Sequence, residues 1–124
     1  MFDGGSLGNP GRGYGSYRLQ RAGESWQEPV RLEFGDRVTN NEAEYRSLIE
    51  AFRDLTGHIT DPSEVRVEVL GDSKLVLSQL AGEWKVKADN LRAPFSEAQK
   101  LARAFKSVRY TWHRRTESVT LLGH

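Results

Sequence analysis

The chain contains no cysteine, and this absence excludes several kinds of site at once. Disulfide scaffolds, thiolate zinc sites, iron–sulfur clusters and cysteine nucleophiles all need that residue. Long apolar runs are also missing, since none approaches the roughly 20 residues that would span a membrane. The N-terminus lacks a basic segment followed by an apolar one, so no secretory signal is visible. These absences predict a protein of the reducing cytoplasm with no membrane partner.

The remaining composition is ordinary for one folded domain. The chain has 124 residues, of which 37% are hydrophobic, and five Phe, four Tyr and three Trp supply bulky core side chains. We therefore expect a single domain over residues 1–124, without repeats or linkers. We also expect the protein to be a monomer. Only Met1 and Phe2 precede Asp3, which is short for a first strand, so we also expect residues to be missing at one or both ends.

Charge is unevenly distributed behind a net value of +1. Residues 23–64 hold ten acidic residues against four arginines, a net of −6, whereas residues 84–115 hold nine Lys/Arg against two acids, a net of +7. Such asymmetry is typical of a surface that faces a polyanion, but two solvated helix faces of opposite sign would look the same. Charge alone does not decide between them.

The pattern of apolar residues predicts a mixed α/β domain. Glycine and proline mark Asp3 to Gly13 as a loop, and two extended segments after it are typical of an antiparallel hairpin. Apolar residues at helical spacing predict a long helix over Asn40 to Thr56, ended by Gly57. A strand, two helices and a last strand follow, at about Val65 to Val69, Lys74 to Leu80, from Pro94 or Ser96, and Val108 to Trp112. This order predicts a five-stranded mixed sheet, an antiparallel meander extended by parallel strands, with flanking helices.

Three carboxylates stand out by their positions. Asp3 precedes a glycine-rich turn, Glu44 lies on the apolar side of the long helix, and Asp72 follows a strand directly before a helix. Each alone is well explained structurally, as a turn residue, a helix-dipole partner and a helix N-cap. Together they indicate a site, because converging acids repel one another unless a divalent cation neutralises them. Oxygen ligands favour magnesium or manganese.

Three segments of the chain closely resemble the signature blocks of type 1 ribonuclease H. They read FDGGSLGNPGRGYGSY, TNNEAEYRSLIEAF and LGDSKLVLSQLAGEWKVK, in the family order, and with their connections they extend from Phe2 to about Trp112. The resemblance implies the family's five-stranded mixed sheet with flanking helices. It also implies endonucleolytic cleavage of the RNA strand of an RNA–DNA hybrid with two divalent ions.

Carried over by position, the resemblance makes Asp3, Glu44 and Asp72 the first three metal ligands. Asp3 is the candidate that bridges both ions, Glu44 holds the ion at the leaving group, and Asp72 holds the ion at the attacking water. The family's fourth ligand is an Asp, but no Asp occurs here after Asp89. One alignment places Leu122 there, which cannot bind a metal, and another places His124, whose imidazole suits manganese better than magnesium. A frayed terminal histidine is the alternative.

The resemblance also implies contacts with the hybrid. Gly4 and Gly5 lack a Cβ and would let a sugar approach closely, whereas carboxamides can bond hydroxyls and base edges. Further along, Thr39 occupies the position at which the family contacts a DNA phosphate. The segment GEWKVK resembles the family segment that forms the edge of the groove for the DNA strand. The expected set is Gly4, Gly5, Asn9, Thr39, Asn40, Asn41, Trp84, Lys85 and Lys87. Turn and capping roles for the asparagines, and a core position for Trp84, are the alternatives.

Two other functions stay open at this point. A non-catalytic module that binds hybrids on the same fold gains weight from the missing fourth Asp. The ribonuclease H domain of a reverse transcriptase or mobile element would show the same motifs. The basic insertion of some family members is also absent, since few residues separate Trp84 from the next helix. We therefore expect a compact member with salt-sensitive substrate binding.

Overall fold

The glycine-rich start of the chain forms two strands, so the loop predicted there is wrong. The computed structural model describes residues 1–114. Strand β1 covers Phe2–Leu7 and β2 covers Gly11–Tyr17, and the two pair as an antiparallel hairpin. Glycine within a strand marks a close approach of another backbone, which sequence propensity does not register.

No membrane-spanning helix is found within residues 1–114.

The order of the other elements agrees with the predicted one. After the first hairpin come β3 (Val30–Val38), α1 (Asn40–His58), a 3₁₀ turn (Pro62–Glu64), β4 (Arg66–Gly71), α2 (Lys74–Leu80), α3 (Asp89–Ala102) and β5 (Ser107–Trp112).

Helix α3 begins earlier than the sequence predicts. It starts at Asp89 and contains Pro94, which was expected at or near its start. Proline in a helix removes one backbone hydrogen bond, but tertiary packing overrides that local preference here. Leu91 and Ala98, on either side of the proline, are both buried against the core.

Hydrogen bonding divides the five strands into two sheets instead of the single sheet predicted. Strands β1, β2 and β3 form an antiparallel sheet, and β4 pairs in parallel with β5. β1 and β4 still lie side by side at Gly71, where an added Cβ would lie 2.5 Å from the Phe2 ring. Toward Met1 a cleft of about 800 Å³ separates them, and its walls include Phe2 and Val67. The mixed α/β class is confirmed, whereas continuous pairing across this gap is not seen in residues 1–114.

Helix α1 supplies the centre of the core. Its buried face includes Tyr45, Leu48 and Phe52, and the Phe52 ring lies 5.9 Å from that of Phe105. The helix begins after Thr39, whose hydroxyl accepts from the Glu42 backbone N–H at 3.1 Å within a capping box. Such a cap stabilises a helix by about 1 kcal/mol.

Candidate active site

Three acidic side chains from three separate elements meet at one end of the fold. Asp3 comes from β1, Glu44 from α1, and Asp72 from the residue directly after β4. Each offers a carboxylate oxygen, and these oxygens lie within 4.8 Å of one another. Asp3 and Glu44 are only 2% and 6% exposed, and Asp72 is half-buried. The structure thus brings together three of the four predicted ligands, and His124 lies outside the described residues.

A glycine allows the helix to come this close to the strand. A Cβ placed on Gly4 would lie 2.5 Å from both the carbonyl carbon and the carbonyl oxygen of Ala43, and 2.7 Å from the backbone nitrogen of Glu44. These are backbone atoms, so α1 packs directly on β1 only because Gly4 has no side chain. The Gly4 N–H also donates to the Glu44 carboxylate.

The simpler structural roles considered for Glu44 and Asp72 belong to their neighbours. Glu42, not Glu44, is the acidic residue in the first turn of α1. Ser73, not Asp72, is the N-cap of α2, and its hydroxyl accepts from the Val76 N–H at 3.3 Å. At Asp72 the backbone carbonyl accepts from the Trp112 indole N–H at 3.1 Å, which ties this residue to β5.

Burial and like charge act together on Glu44. Burial first, and then the neighbouring charges of Asp3 and Asp72, raise the pKa of the Glu44 carboxyl well above its ordinary value. Its Oε2 atom is buried, and no described residue gives it a hydrogen bond. A buried oxygen without a partner, within a set of three carboxylates, is what a hard divalent cation would complete. The residues present therefore fit magnesium or manganese.

This electrostatic arrangement predicts how stability changes with pH in the metal-free protein. Because folding raises the pKa of Glu44, the stability supplied by its protonated form is fully present below the unfolded value of about 4.5. It is lost as pH rises from there toward the folded-state pKa. Glu44→Gln removes this loss, so we expect its free energy of unfolding near pH 7.5 to exceed the wild-type value.

Urea unfolding in EDTA, from about pH 5 to about pH 8, measures this effect. Glu64→Gln is the matched control, because Glu64 is exposed in the 3₁₀ turn. The Glu44→Gln profile should decline less with pH than those of the wild type and the control. Three parallel profiles would contradict the arrangement of the carboxylates.

The predicted asparagines join the β1–β2 turn to the start of α1. Asn40 Oδ1 accepts from the Ser6 backbone N–H at 2.8 Å, and the Asn40 backbone N–H donates to Asn9 Oδ1 at 3.0 Å. Both carboxamide oxygens are thus used within the protein. Their amide NH₂ groups bond to no other described residue, so this exposed edge presents hydrogen-bond donors. Asn41 lies next to this edge and is half-buried.

Gly5 has a packing role that the sequence did not indicate. A Cβ on Gly5 would come 2.6 Å from the hydroxyl of Tyr14, its partner across the β1–β2 hairpin. The missing side chains of Gly4 and Gly5 therefore make room for the protein's own groups. Close approach of a sugar to either backbone stays a prediction.

Thr39 has a neighbour that the sequence analysis missed. The Asn90 carboxamide reaches the Thr39 hydroxyl at 3.5 Å, which brings together the first residues of α1 and α3. The sequence did not indicate this contact because α3 was expected to start at Pro94 or Ser96, which left Asn90 in a connection.

Arg37, two residues before Thr39, has a left-handed backbone with φ of 59°, unusual for a non-glycine residue. Such strain is common at functional sites.

The remaining candidates lie on the connection between α2 and α3. Trp84 is 48% exposed, which excludes the core position considered for it. Lys85 and Lys87 are exposed as well. Beyond β5, His113 is half-buried and Arg114 is exposed. An aromatic ring and two cations are thus exposed on one short surface segment, and their contact with a DNA strand stays a prediction.

Comparisons with known proteins agree with this geometry. A family model described as reverse transcriptase-like matches residues 25–120. A bifunctional protein of Mycobacterium tuberculosis is 40% identical over 111 residues, which are 89% of this chain and 29% of that protein. Ribonuclease HI of Halobacterium salinarum is 37% identical over 107 residues, which are 84% of this chain and 50% of that protein. The chain therefore spans half or less of the length of these curated relatives.

Solved structures agree over nearly the whole chain. The N-terminal RNase H domain of the M. tuberculosis protein is 35% identical, with a TM-score of 0.85, and the match covers 96% of this chain and 83% of that one. LC11-RNase H1, solved in complex with an RNA/DNA hybrid, is 27% identical with a TM-score of 0.87, over 96% and 86% of the two chains. Together with the motifs that carry the three carboxylates, these matches show that the chain belongs to the type 1 ribonuclease H family.

Proposed function

We propose that this protein is an endonuclease that hydrolyses the RNA strand of RNA–DNA hybrids with two divalent metal ions, magnesium or manganese. One observation carries the proposal: carboxylates from β1, α1 and the end of β4 converge within 4.8 Å. Without a cation this arrangement is costly, because like charges meet at buried positions. A module that only bound nucleic acid would not need it, so catalysis is favoured over the non-catalytic alternative.

Asp3, Glu44 and Asp72 would hold the ions. When bound, such ions lower the pKa of the attacking water and stabilise the leaving ribose oxygen. The chain's own contribution is to keep the ligands in place before substrate arrives. The Gly4 N–H orients the Glu44 carboxylate, and the Trp112 indole anchors the backbone of Asp72.

We further propose His124 as the fourth ligand, in place of the family's usual Asp. Its imidazole would coordinate the same ions, manganese more readily than magnesium. His124→Ala should then reduce the rate of hybrid cleavage by at least about tenfold, with partial recovery when manganese replaces magnesium. Leu122→Ala is the matched control, because Leu122 occupies the other alignable position and cannot bind a metal. An unchanged rate for His124→Ala would remove this residue from the site.

The two strands of the hybrid would meet different groups. The NH₂ donors of Asn9 and Asn40, with Asn41 beside them, suit the 2′-hydroxyls and base acceptors of the RNA strand in the shallow minor groove. Thr39, with Asn90, would bond a DNA phosphate. Lys85 and Lys87 would bind further phosphates, with Trp84 against the sugars. The related LC11-RNase H1 was solved with an RNA/DNA hybrid, which supports this class of substrate.

A reverse-transcriptase domain is less well supported as an alternative. The protease–reverse transcriptase of prototype foamy virus is 15% identical with a TM-score of 0.71, which shows a common fold alone. The ribonuclease HI of H. salinarum is more than twice as similar in sequence. Although the family model over residues 25–120 is described as reverse transcriptase-like, the named relative at 37% identity favours a ribonuclease HI.

An end-labelled RNA–DNA hybrid, incubated with magnesium, manganese or EDTA, tests the proposal, with an RNA duplex as control. We expect the RNA strand to be cut only in the hybrid and only with metal. Hybrid binding without cutting in either metal would favour the binding module. Cutting in EDTA would contradict the metal-dependent mechanism.

A further inference from the structure

A buried chain of hydrogen bonds links helix α1 to the surface segment that carries Lys85 and Lys87. The Tyr45 O–H donates to Gln79 Oε1 at 2.6 Å, and Gln79 Nε2 donates to the Lys85 carbonyl at 3.4 Å. Tyr45 is fully buried, and Gln79, on α2, is only 5% exposed. We propose that Gln79 is a positioning residue that holds the segment 85–87 in place for the DNA strand of the hybrid. The proposal rests on the function proposed above.

The chemistry of the buried amide determines its orientation. The Tyr45 phenol donates its proton to the amide, so the oxygen end of the Gln79 amide must face it. The NH₂ end is then directed toward the Lys85 carbonyl. The Tyr45 ring is itself held, since it packs edge-to-face against Phe95 at 6.5 Å. A buried glutamine with both ends engaged specifies one conformation of its neighbours.

The segment 85–87 depends on this contact. The preceding residues are held by the end of α2, where the Glu83 and Trp84 N–H groups both donate to the Ser78 carbonyl. Among the described residues, the Gln79 side chain makes the only hydrogen bond to the backbone of residues 85–87. Val86 adds a second anchor by packing against the core. Both lysine side chains are therefore exposed, while buried contacts of Gln79 and Val86 fix the backbone between them.

The same contact connects the segment to the carboxylate site. Tyr45 directly follows Glu44 in α1, so the hydrogen bonds begin in the turn that carries a proposed metal ligand. A hybrid bound by Lys85 and Lys87 would thus be held at a constant distance from the carboxylates.

Gln79→Met tests the proposal, because methionine keeps the shape of glutamine and loses both hydrogen bonds. The matched control is Gln99→Met, a half-buried residue of α3 whose side chain bonds to no other described residue. The double variant Tyr45→Phe/Gln79→Met removes the hydroxyl that would be left unpaired and guards against loss of folding. For each protein we would measure KM, kcat and the salt dependence of KM on a hybrid, and backbone ¹⁵N order parameters of residues 84–88 without substrate.

Both Gln79 variants should raise KM by about five- to tenfold, because the loosened segment must be ordered when its lysines bind phosphate, with kcat within about twofold. The slope of log KM against log salt should fall by about 1 to 2, since each phosphate contact contributes about 0.9. The order parameters of residues 84–88 should fall. Unchanged order parameters, or lower ones with KM and slope equal to the control's, would overturn the proposal. Order parameters are measured without substrate, so a wild type that binds no hybrid would refute the proposed function separately.

Discussion

Asp72→Asn is expected to abolish cleavage of the RNA strand while the protein stays folded. The substitution keeps the size of the side chain but removes a negative oxygen from the three that converge within 4.8 Å. A metal that stabilises charge in the transition state contributes several kcal/mol, so the single-turnover rate should fall by at least about 10³-fold. Folding should survive because Ser73, not Asp72, caps α2.

The comparison needs a control that changes the same chemical group elsewhere. Asp61→Asn serves, because Asp61 is exposed and caps the 3₁₀ turn through an oxygen that asparagine retains. It should cleave at the wild-type rate, and circular dichroism should give the same spectrum for all three proteins. Near wild-type turnover by Asp72→Asn would refute the assignment of this carboxylate as a metal ligand.

Gly4→Ala is expected to lower both stability and activity by large factors. The added Cβ would lie 2.5 Å from the Ala43 carbonyl and 2.7 Å from the Glu44 nitrogen, closer than real Cβ atoms approach other groups. Since these neighbours are helix backbone, α1 must move away from β1, and Glu44 must move with it. Overpacking of this kind costs about 1–3 kcal/mol, and we expect the upper end of that range. Cleavage should fall by at least about a hundredfold through the displaced ligand.

Gly57→Ala is the matched substitution for this test. Gly57 lies near the end of α1, and a Cβ there would meet nothing within 4 Å. Alanine in a helix is favoured over glycine by about 0.5–1 kcal/mol, so this variant should equal or exceed the wild type in stability. Urea unfolding of the three proteins measures the difference. Equal stability of Gly4→Ala and Gly57→Ala would contradict the close packing of β1 and α1.

Much of the candidate site could be predicted from sequence because its residues lie in local motifs. The Glu44 and Asp72 motifs each contain the element boundary that positions the acid, whereas Asp3 was predicted at the start of a loop and lies inside β1. Apolar spacing also predicted α1, whose observed range Asn40–His58 exceeds the predicted one by two residues. Convergence of the three acids depended on recognising the motifs together, since each alone has a simpler explanation.

The errors came from interactions that no local pattern contains. The segment from Asp3 to Gly13, which holds most of β1 and the start of β2, was predicted as a loop, because glycine has low strand propensity and the helix packed on Gly4 is distant in sequence. Pro94 was predicted at a helix start, whereas burial of its neighbours keeps it inside α3. The division into two sheets is likewise a long-range feature, since it concerns the pairing of β1 with β4. Asn90 was missed for the same reason, since its approach to Thr39 joins two helices.

Anomalous diffraction from crystals soaked in manganese tests whether a divalent cation binds at the three carboxylates. We expect a strong anomalous peak bonded to oxygens of Asp3, Glu44 and Asp72, and a weaker one or none in Asp72→Asn crystals. Manganese peaks elsewhere, with none at this cluster, would refute the proposed metal site.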